Sequence, residues 1–276
     1  MAARDGKAHP KLDPAAAATV PPQLLSLAEN PNTHQPLGPD QERIENDRFV
    51  LWMGRSEEPP WNVVQRLRLR PDELDSTIVE VHTILRDRGR GACSWEVGGS
   101  ATPPDLVERL LARGLTWADD PHVLGMLLRS PPPAVEGIEA RPARDAGEYA
   151  AALAVARQAF GVGSEEQDEA QAEALWRSQQ DSGHSRRFVA LIDDRIVGCG
   201  SSVYADGAVT LYGGAVLPEA RGQGVYRALV RARWDDAVAR GRPALVTQAG
   251  RMSAPILARL GFVAVARIEV LEDRFG

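Results

Sequence analysis

The sequence predicts an α/β protein, and three observations carry that expectation. Leu211 to Val230 reads as a strand, a glycine turn and an amphipathic helix in direct succession. Strand-like runs alternate with helix-like segments along most of the chain. Hydrophobic residues make up 43% of the 276 residues, enough for packed cores in two domains or one large one.

Taken in order, residues 1–40 are rich in Ala, Pro and polar residues and read as a flexible or docking arm, with a short helical piece at Leu24 to Leu27. Arg48 to Met53 is strand-like. Asp72 to Arg88 carries Leu74, Ile78, Val81 and Leu85 at helical spacing. Ala92 to Val97 is a strand, Asp105 to Arg113 a helix ended by Gly114, and Val123 to Leu128 a strand. Ser130-Pro-Pro-Pro133 is a stiff linker, because prolines cannot join a central strand.

Past the linker, Asp145 with Glu148 forms a capping-box pattern for a helix to Phe160, and Ser164 with Gln167 does so for a helix to Gln179. Phe188 to Ile192, Asp193-Asp194 and Ile196 to Val203 read as a hairpin. A strand at Val209 to Leu217, a helix from Gly222 to Arg240 and a strand at Ala244 to Thr247 follow. A short helix at Ala254 to Leu260 and two final strands complete the chain.

The two halves echo each other. Arg88-Gly-Arg-Gly-Ala92, a strand, a helix and Arg113-Gly-Leu115 parallel Arg240-Gly-Arg-Pro-Ala244, a strand, a helix and Leu260-Gly-Phe262. The N-terminal copy has no R-G-x-G turn; Glu58-Pro-Pro-Trp61 and Arg70-Pro71 stand in that region instead.

Net charge is −6 with no basic block, so a nucleic-acid surface is not expected. No apolar stretch approaches a membrane span. Cys93 and Cys199 are far apart and lie in apolar runs, which argues against a disulfide or metal framework and suits a reducing, cytoplasmic setting.

The strand–turn–helix order is itself a chemical statement. A helix start has unpaired N–H groups and a positive dipole end, and glycines let a phosphate approach closely. A nucleotide-triphosphate loop would need a G-K-[ST] ending that the chain lacks, and a dinucleotide fingerprint a third glycine where Arg227 sits. Val216-Leu-Pro218, Arg221-Gly-Gln-Gly224, Arg227-Ala-Leu229 and Arg259-Leu-Gly-Phe262 together resemble the GNAT superfamily of CoA-dependent N-acetyltransferases. Ile138 to Asp145 looks like that family's opening strand and helix start. The resemblance spans residues 135–272, about half the chain.

It implies a mixed, strongly twisted sheet flanked by helices, with a smaller, degenerate GNAT-like lobe at 41–130, a linker at 131–134 and the acetyltransferase domain at 135–276. Acetyl-CoA would be the cofactor and CoA a product. By the resemblance, pyrophosphate lies on Arg221, Gly222, Gln223, Gly224, Val225, Tyr226 and Arg227, which follow Leu217 and Pro218. The pantetheine arm and thioester lie along Gly214 and Val216. Gly213 and Gly214 suit close ligand approach at a strand edge, or else a β-bulge that bends the sheet.

The chain departs from the family pattern where acid–base residues usually stand: Leu257 replaces the common Tyr, Thr210 the common Glu and Gly250 the common Asn. Tyr226 occupies a position usually Gly or Ala. Tyr212, expected to share a strand face with Thr210 and Gly214, is the candidate general acid. Tyr204, Asp206, Glu165, Glu166, Asp168, His184 and Ser253 are weaker alternatives, and Cys199 is weaker still as a nucleophile. The expected activity is direct acetyl transfer to an amine of a small molecule or peptide, in a monomer or a homodimer. An acyl-CoA sensor without robust catalysis is the alternative.

Overall fold

The computed structural model describes residues 10–161 and 165–276, without the side chains of 165–170. The chain divides into two compact units. One comprises residues up to Met126 together with Gln248–Arg259 and Val263–Gly276; the other comprises Leu127–Thr247 and Leu260–Phe262.

The first unit opens with three short helices, α1 (Pro14–Ala18), α2 (Pro22–Glu29) and α3 (Pro31–His34). Each begins on a proline, whose missing N–H costs nothing at a helix start. Leu27 and Ala28 are fully buried, so this segment contributes to the core.

Strands β1 (Glu42–Glu45), β2 (Val50–Met53) and β3 (Asn62–Gln65) form an antiparallel meander. Helix α4 (Leu74–Arg86) then crosses to β4 (Ala92–Gly98), which runs parallel to β3 through the pairs Val63–Ser94 and Val64–Trp95. Helix α5 (Leu106–Leu111) and strand β5 (Thr116–Leu128) follow. Trp95, Phe49, Leu51, Met53, Leu74, Leu85 and Leu110 form the core between sheet and helices. Strands β1 and β3 escape the sequence pattern for opposite reasons. Glu-Arg-Ile-Glu is mostly charged, and all four residues of Asn-Val-Val-Gln are buried, so neither shows polar–apolar alternation.

The second unit contains β6 (Glu139–Pro142), α6 (Ala146–Phe160), α7 (Glu165–Ser182), β7 (Ser185–Ile192), β8 (Arg195–Ala205), β9 (Ala208–Val216), α8 (Val225–Ala239) and, as far as Thr247, β10 (Leu245–Ala249). Its sheet order is β10-β9-β8-β7-β6, antiparallel except for β9 with β10. Asp145 caps α6, its Oδ1 accepting from Glu148 N at 2.8 Å, and Gly161 at φ +73° ends the helix. Asp193 and Asp194 both adopt left-handed conformations, as a two-residue hairpin turn requires. The proline linker is held on α8, where Arg231 Nη1 donates to Pro132 O at 3.0 Å. The expected cap at Ser164 lies outside the described residues.

After α9 (Ala254–Arg259) the chain ends in one long strand, β11 (Val263–Arg274), where two strands were expected. No Gly or Pro interrupts it. It pairs antiparallel with β4 from Ile268–Gly98 to Arg274–Ala92, which places the C-terminal residues in the first unit rather than in a continuous 135–276 domain.

The echo between halves has a structural counterpart. The series β1-β2-β3, α4, β4, α5, β5 repeats the series β7-β8-β9, α8, β10, α9, β11. In each, a three-stranded antiparallel meander leads through a helix to a strand paired in parallel with the third at two positions. Both Arg-Gly-Arg segments sit between that helix and that strand.

Candidate cofactor site

Strand β9 leads through a single 3-10 turn, Pro218–Ala220, into Arg221–Gly224 and then α8. Gly222 (φ +80°) and Gly224 (φ +95°) occupy left-handed conformations that an L side chain resists. The first helical bond is Ala228 N to Gly224 O at 3.0 Å. Among the described residues, the amides of Gly222, Gln223, Gly224, Val225, Tyr226 and Arg227 have no protein acceptor. Six consecutive N–H groups without an acceptor at the positive end of a 15-residue helix are the donors an anion cradle needs.

Side chains brace this turn. Gln223 Nε2 donates to Glu219 O at 3.0 Å, Arg221 Nε to Val216 O at 3.3 Å, and Arg195 pairs with Glu219 at 2.9 Å. Arg221 and Arg227 are exposed and pair with no carboxylate among the described residues. Leu217 and Val225 are buried, so these two can offer a ligand only their backbone.

Beside the turn, β9 and β10 pair only through Val209–Leu245 and Thr210–Val246 among the described residues. Thr247 Oγ1 donates to Leu211 O at 3.0 Å, and from there β9 continues to Val216 outside that register. A strand edge leading to an anion cradle suits an extended, amide-bearing chain ending in phosphates.

Gly213 and Gly214 form a β-bulge. Cys199 pairs with Ala215 and Ser201 with Tyr212, so two glycines face the single residue Gly200. Gly213 has φ +54°, and a Cβ on Gly214 would lie 2.6 Å from Tyr226 Cε2. Tyr226 therefore packs back over the bulge, and the need for glycine at 214 is already met within the protein.

Residues 149–262 match the acetyltransferase (GNAT) family model. Solved structures similar to the whole chain share its fold. A GCN5-related N-acetyltransferase from Kribbella flavida is 18% identical with a TM-score of 0.65, and 95% of each chain is covered. A tandem GNAT protein from the clavulanic acid biosynthesis pathway is 17% identical with a TM-score of 0.60, covering 95% of this chain and 92% of that one. A GCN5-related N-acetyltransferase from Sphaerobacter thermophilus is 18% identical with a TM-score of 0.60, covering 83% and 81%. No curated protein matches the sequence.

Within the matched region, the acid–base candidates separate. The bulge moves Tyr212 into the row Arg187–Ser201–Tyr212, away from the side on which Gly214 meets Tyr226, so the expected shared face with Gly214 is lost. Tyr212 is partly exposed. The Tyr204 hydroxyl donates to Asp236 Oδ2 at 2.6 Å; burial, and then Asp236, raise its pKa well above the ordinary phenol, so it serves the β8–α8 packing. Burial also raises the Cys199 thiol, which is inert as a nucleophile. His184 is exposed in a loop. Ser253 falls in the first unit and bonds Gly250 O at 3.4 Å. The Glu165, Glu166 and Asp168 side chains lie outside the described residues.

The first unit does not repeat the cradle. Between β3 and α4 stand Arg66 to Glu73, with Glu73 at the cap and Asp75 in the first helical turn, so acidic side chains already occupy the positive end.

Proposed function

We propose that the GNAT domain transfers an acetyl group from acetyl-CoA directly to an amine of a small molecule or peptide. The six acceptor-free amides from Gly222 to Arg227 carry this reading, together with the match of residues 149–262 to an acetyltransferase family. The cradle takes the pyrophosphate, with Arg221 and Arg227 adding charge. The pantetheine arm runs along β9 past Gly214 and Val216, where pairing with β10 has ended. Polarisation of a thioester carbonyl by a backbone N–H there would stabilise the tetrahedral oxyanion, an interaction worth about 3–4 kcal/mol when the donor is pre-positioned. Placing amine and thioester together supplies further rate without a covalent enzyme intermediate. Tyr212 is the residue we assign to protonate the leaving thiolate.

The test is thermal unfolding with CoA and acetyl-CoA. Ligand at 100 times its dissociation constant should stabilise the native state by about 2.7 kcal/mol. Gly224→Ala should erase that shift, because a side chain drives φ out of the left-handed region and turns the amides of the cradle. The neighbours it meets are the mobile end of Arg227 at 3.1 Å and Val135 Cγ1 at 3.3 Å, so the fold should survive. An unchanged shift in the variant would refute the cofactor assignment. Binding without thiol release for any amine would leave a CoA-binding module.

A further inference from the structure

The bulge of β9 lies among buried positive charge that the acetyl-transfer reading does not use. Gly200, Gly213 and Gly214 oppose one another on adjacent strands and leave a patch of sheet without side chains. Arg233 of α8 comes up to it from one side: a Cβ on Gly200 would lie 2.8 Å from Arg233 Nη1. Arg187 of β7 comes to the other glycine: a Cβ on Gly213 would lie 3.9 Å from Arg187 Nη1.

Neither guanidinium pairs with a carboxylate among the described residues. Arg233 is 1% exposed; its Nε donates to Leu229 O at 3.0 Å, its Nη1 reaches Ser201 O at 3.5 Å, and its buried Nη2 has no acceptor. The buried Nε of Arg187 also has no acceptor, and its guanidinium stacks 5.3 Å above the Tyr149 ring. Cys199 lies beside both, but burial holds it as a neutral thiol, so it cancels no charge. Burial lowers the pKa of Arg233 against the opposing effects of Tyr226 and Cys199, and Arg187 adds a smaller push downward; at Arg187 burial acts the same way, but Tyr149 and Cys199 together outweigh it and the pKa is raised. Two cations with idle donors and no carboxylate partner among the described residues are costly in a folded core unless an anion completes them. Gly213 is exposed, so the bulge opens to solvent where Arg187 stands.

We propose that the glycine bulge is a carboxylate-binding subsite, in which Arg187 grips a free carboxylate of the reacting substrate and Arg233 reinforces it from behind. This rests on the CoA reading above, which puts the thioester at Gly214, next to the bulge. The carboxylate belongs either to a dicarboxylic acyl group on CoA or to an amino-acid acceptor. An arginine fork meets a carboxylate through two parallel N–H donors, which a neutral acetyl methyl cannot exploit.

The experiment measures dissociation constants of CoA, acetyl-CoA and succinyl-CoA, and of N-acetylglutamate and N-acetylglutamate diamide in the presence of CoA. The proteins are wild type, Arg187→Met and Arg187→Lys. Binding of CoA alone reads the cradle, and its absence overturns the nucleotide reading and this subsite with it. If the acyl group supplies the anion, wild type binds succinyl-CoA about tenfold or more tighter than acetyl-CoA. If the acceptor supplies it, the two thioesters bind alike, and N-acetylglutamate binds tenfold or more tighter than its diamide. Either preference should vanish in Arg187→Met and partly return in Arg187→Lys, with CoA affinity unchanged in both. Intact CoA binding with neither preference, or a preference that survives Arg187→Met, would overturn the subsite.

Discussion

Gly214→Ala offers a decisive way to learn why the bulge of β9 is built from glycine. The added Cβ would lie 2.6 Å from Tyr226 Cε2, 3.4 Å from its hydroxyl oxygen and 3.5 Å from its Cζ. The ring belongs to Tyr226 of α8, and a Cβ this close would force it to shift. Overpacking of this kind costs about 1–3 kcal/mol. For a chain of this size each kcal/mol moves the melting temperature by about 2–4 °C. Tyr226→Ala alone loses contacts of a partly buried aromatic, about half the 3–5 kcal/mol of a fully buried ring. The double variant removes the clash, so it should be about as stable as Tyr226→Ala alone, with a coupling of about 1–3 kcal/mol. Thermal or urea unfolding of the four proteins closes this cycle. Additive losses, within about 0.5 kcal/mol, would refute the packing argument. CoA binding by the double variant separates two origins of the glycine. A relieved clash with the CoA affinity of Tyr226→Ala means that Tyr226 alone requires Gly214; a relieved clash with CoA binding lost relative to Tyr226→Ala means that the pantetheine requires it as well.

Two other consequences can be measured directly. In the first unit, burial raises the Glu96 carboxyl to about 7 against the opposing hydrogen bond from Gln248 Nε2, and Gln65 Nε2 also donates to Glu96, each at 3.1 Å. The folded protein then holds a proton that the unfolded chain has lost. Stability from this group is complete below the ordinary carboxylate range, falls as pH rises towards 7 and stays flat above it, a loss of up to about 3 kcal/mol. Glu96→Gln should flatten that slope and stabilise the protein at pH 8; an unaltered slope would assign the proton elsewhere. Tyr212→Phe should lower kcat by about 100-fold or more if its hydroxyl protonates the leaving thiolate, with CoA affinity unchanged. Full turnover in that variant would remove Tyr212 from the chemistry.

Much of the fold was legible in the chain because local rules wrote it. Asp145 and Glu148 mark the start of α6, and Asp193-Asp194 marks the β7–β8 turn. Gly222 and Gly224 mark the cradle, since a left-handed backbone there excludes other residues. The Arg-Gly-Arg echo located the corresponding segments of two repeated strand–helix–strand series. What was illegible depended on partners distant in sequence. Strand β3 is buried on both faces and has no polar period to betray it. The pairing of β11 with β4 joins residues some 170 positions apart, so nothing near Val263 announces that the chain's last strand belongs to the first unit.

The same division runs through the site. Backbone conformation is a local property, so the sequence by itself determined the strand, the glycine turn and the helix whose amides stand free for an anion. Side-chain environment is a property of packing, and only the tertiary structure decided it. A one-residue bulge, invisible to strict period-two alternation, turned Tyr212 and Gly214 apart and gave Gly214 to the ring of Tyr226. Two arginines 46 positions apart, each unremarked in its own strand or helix, meet at that bulge because β7, β8 and α8 pack there, and the charge they bury together exists only in the folded chain.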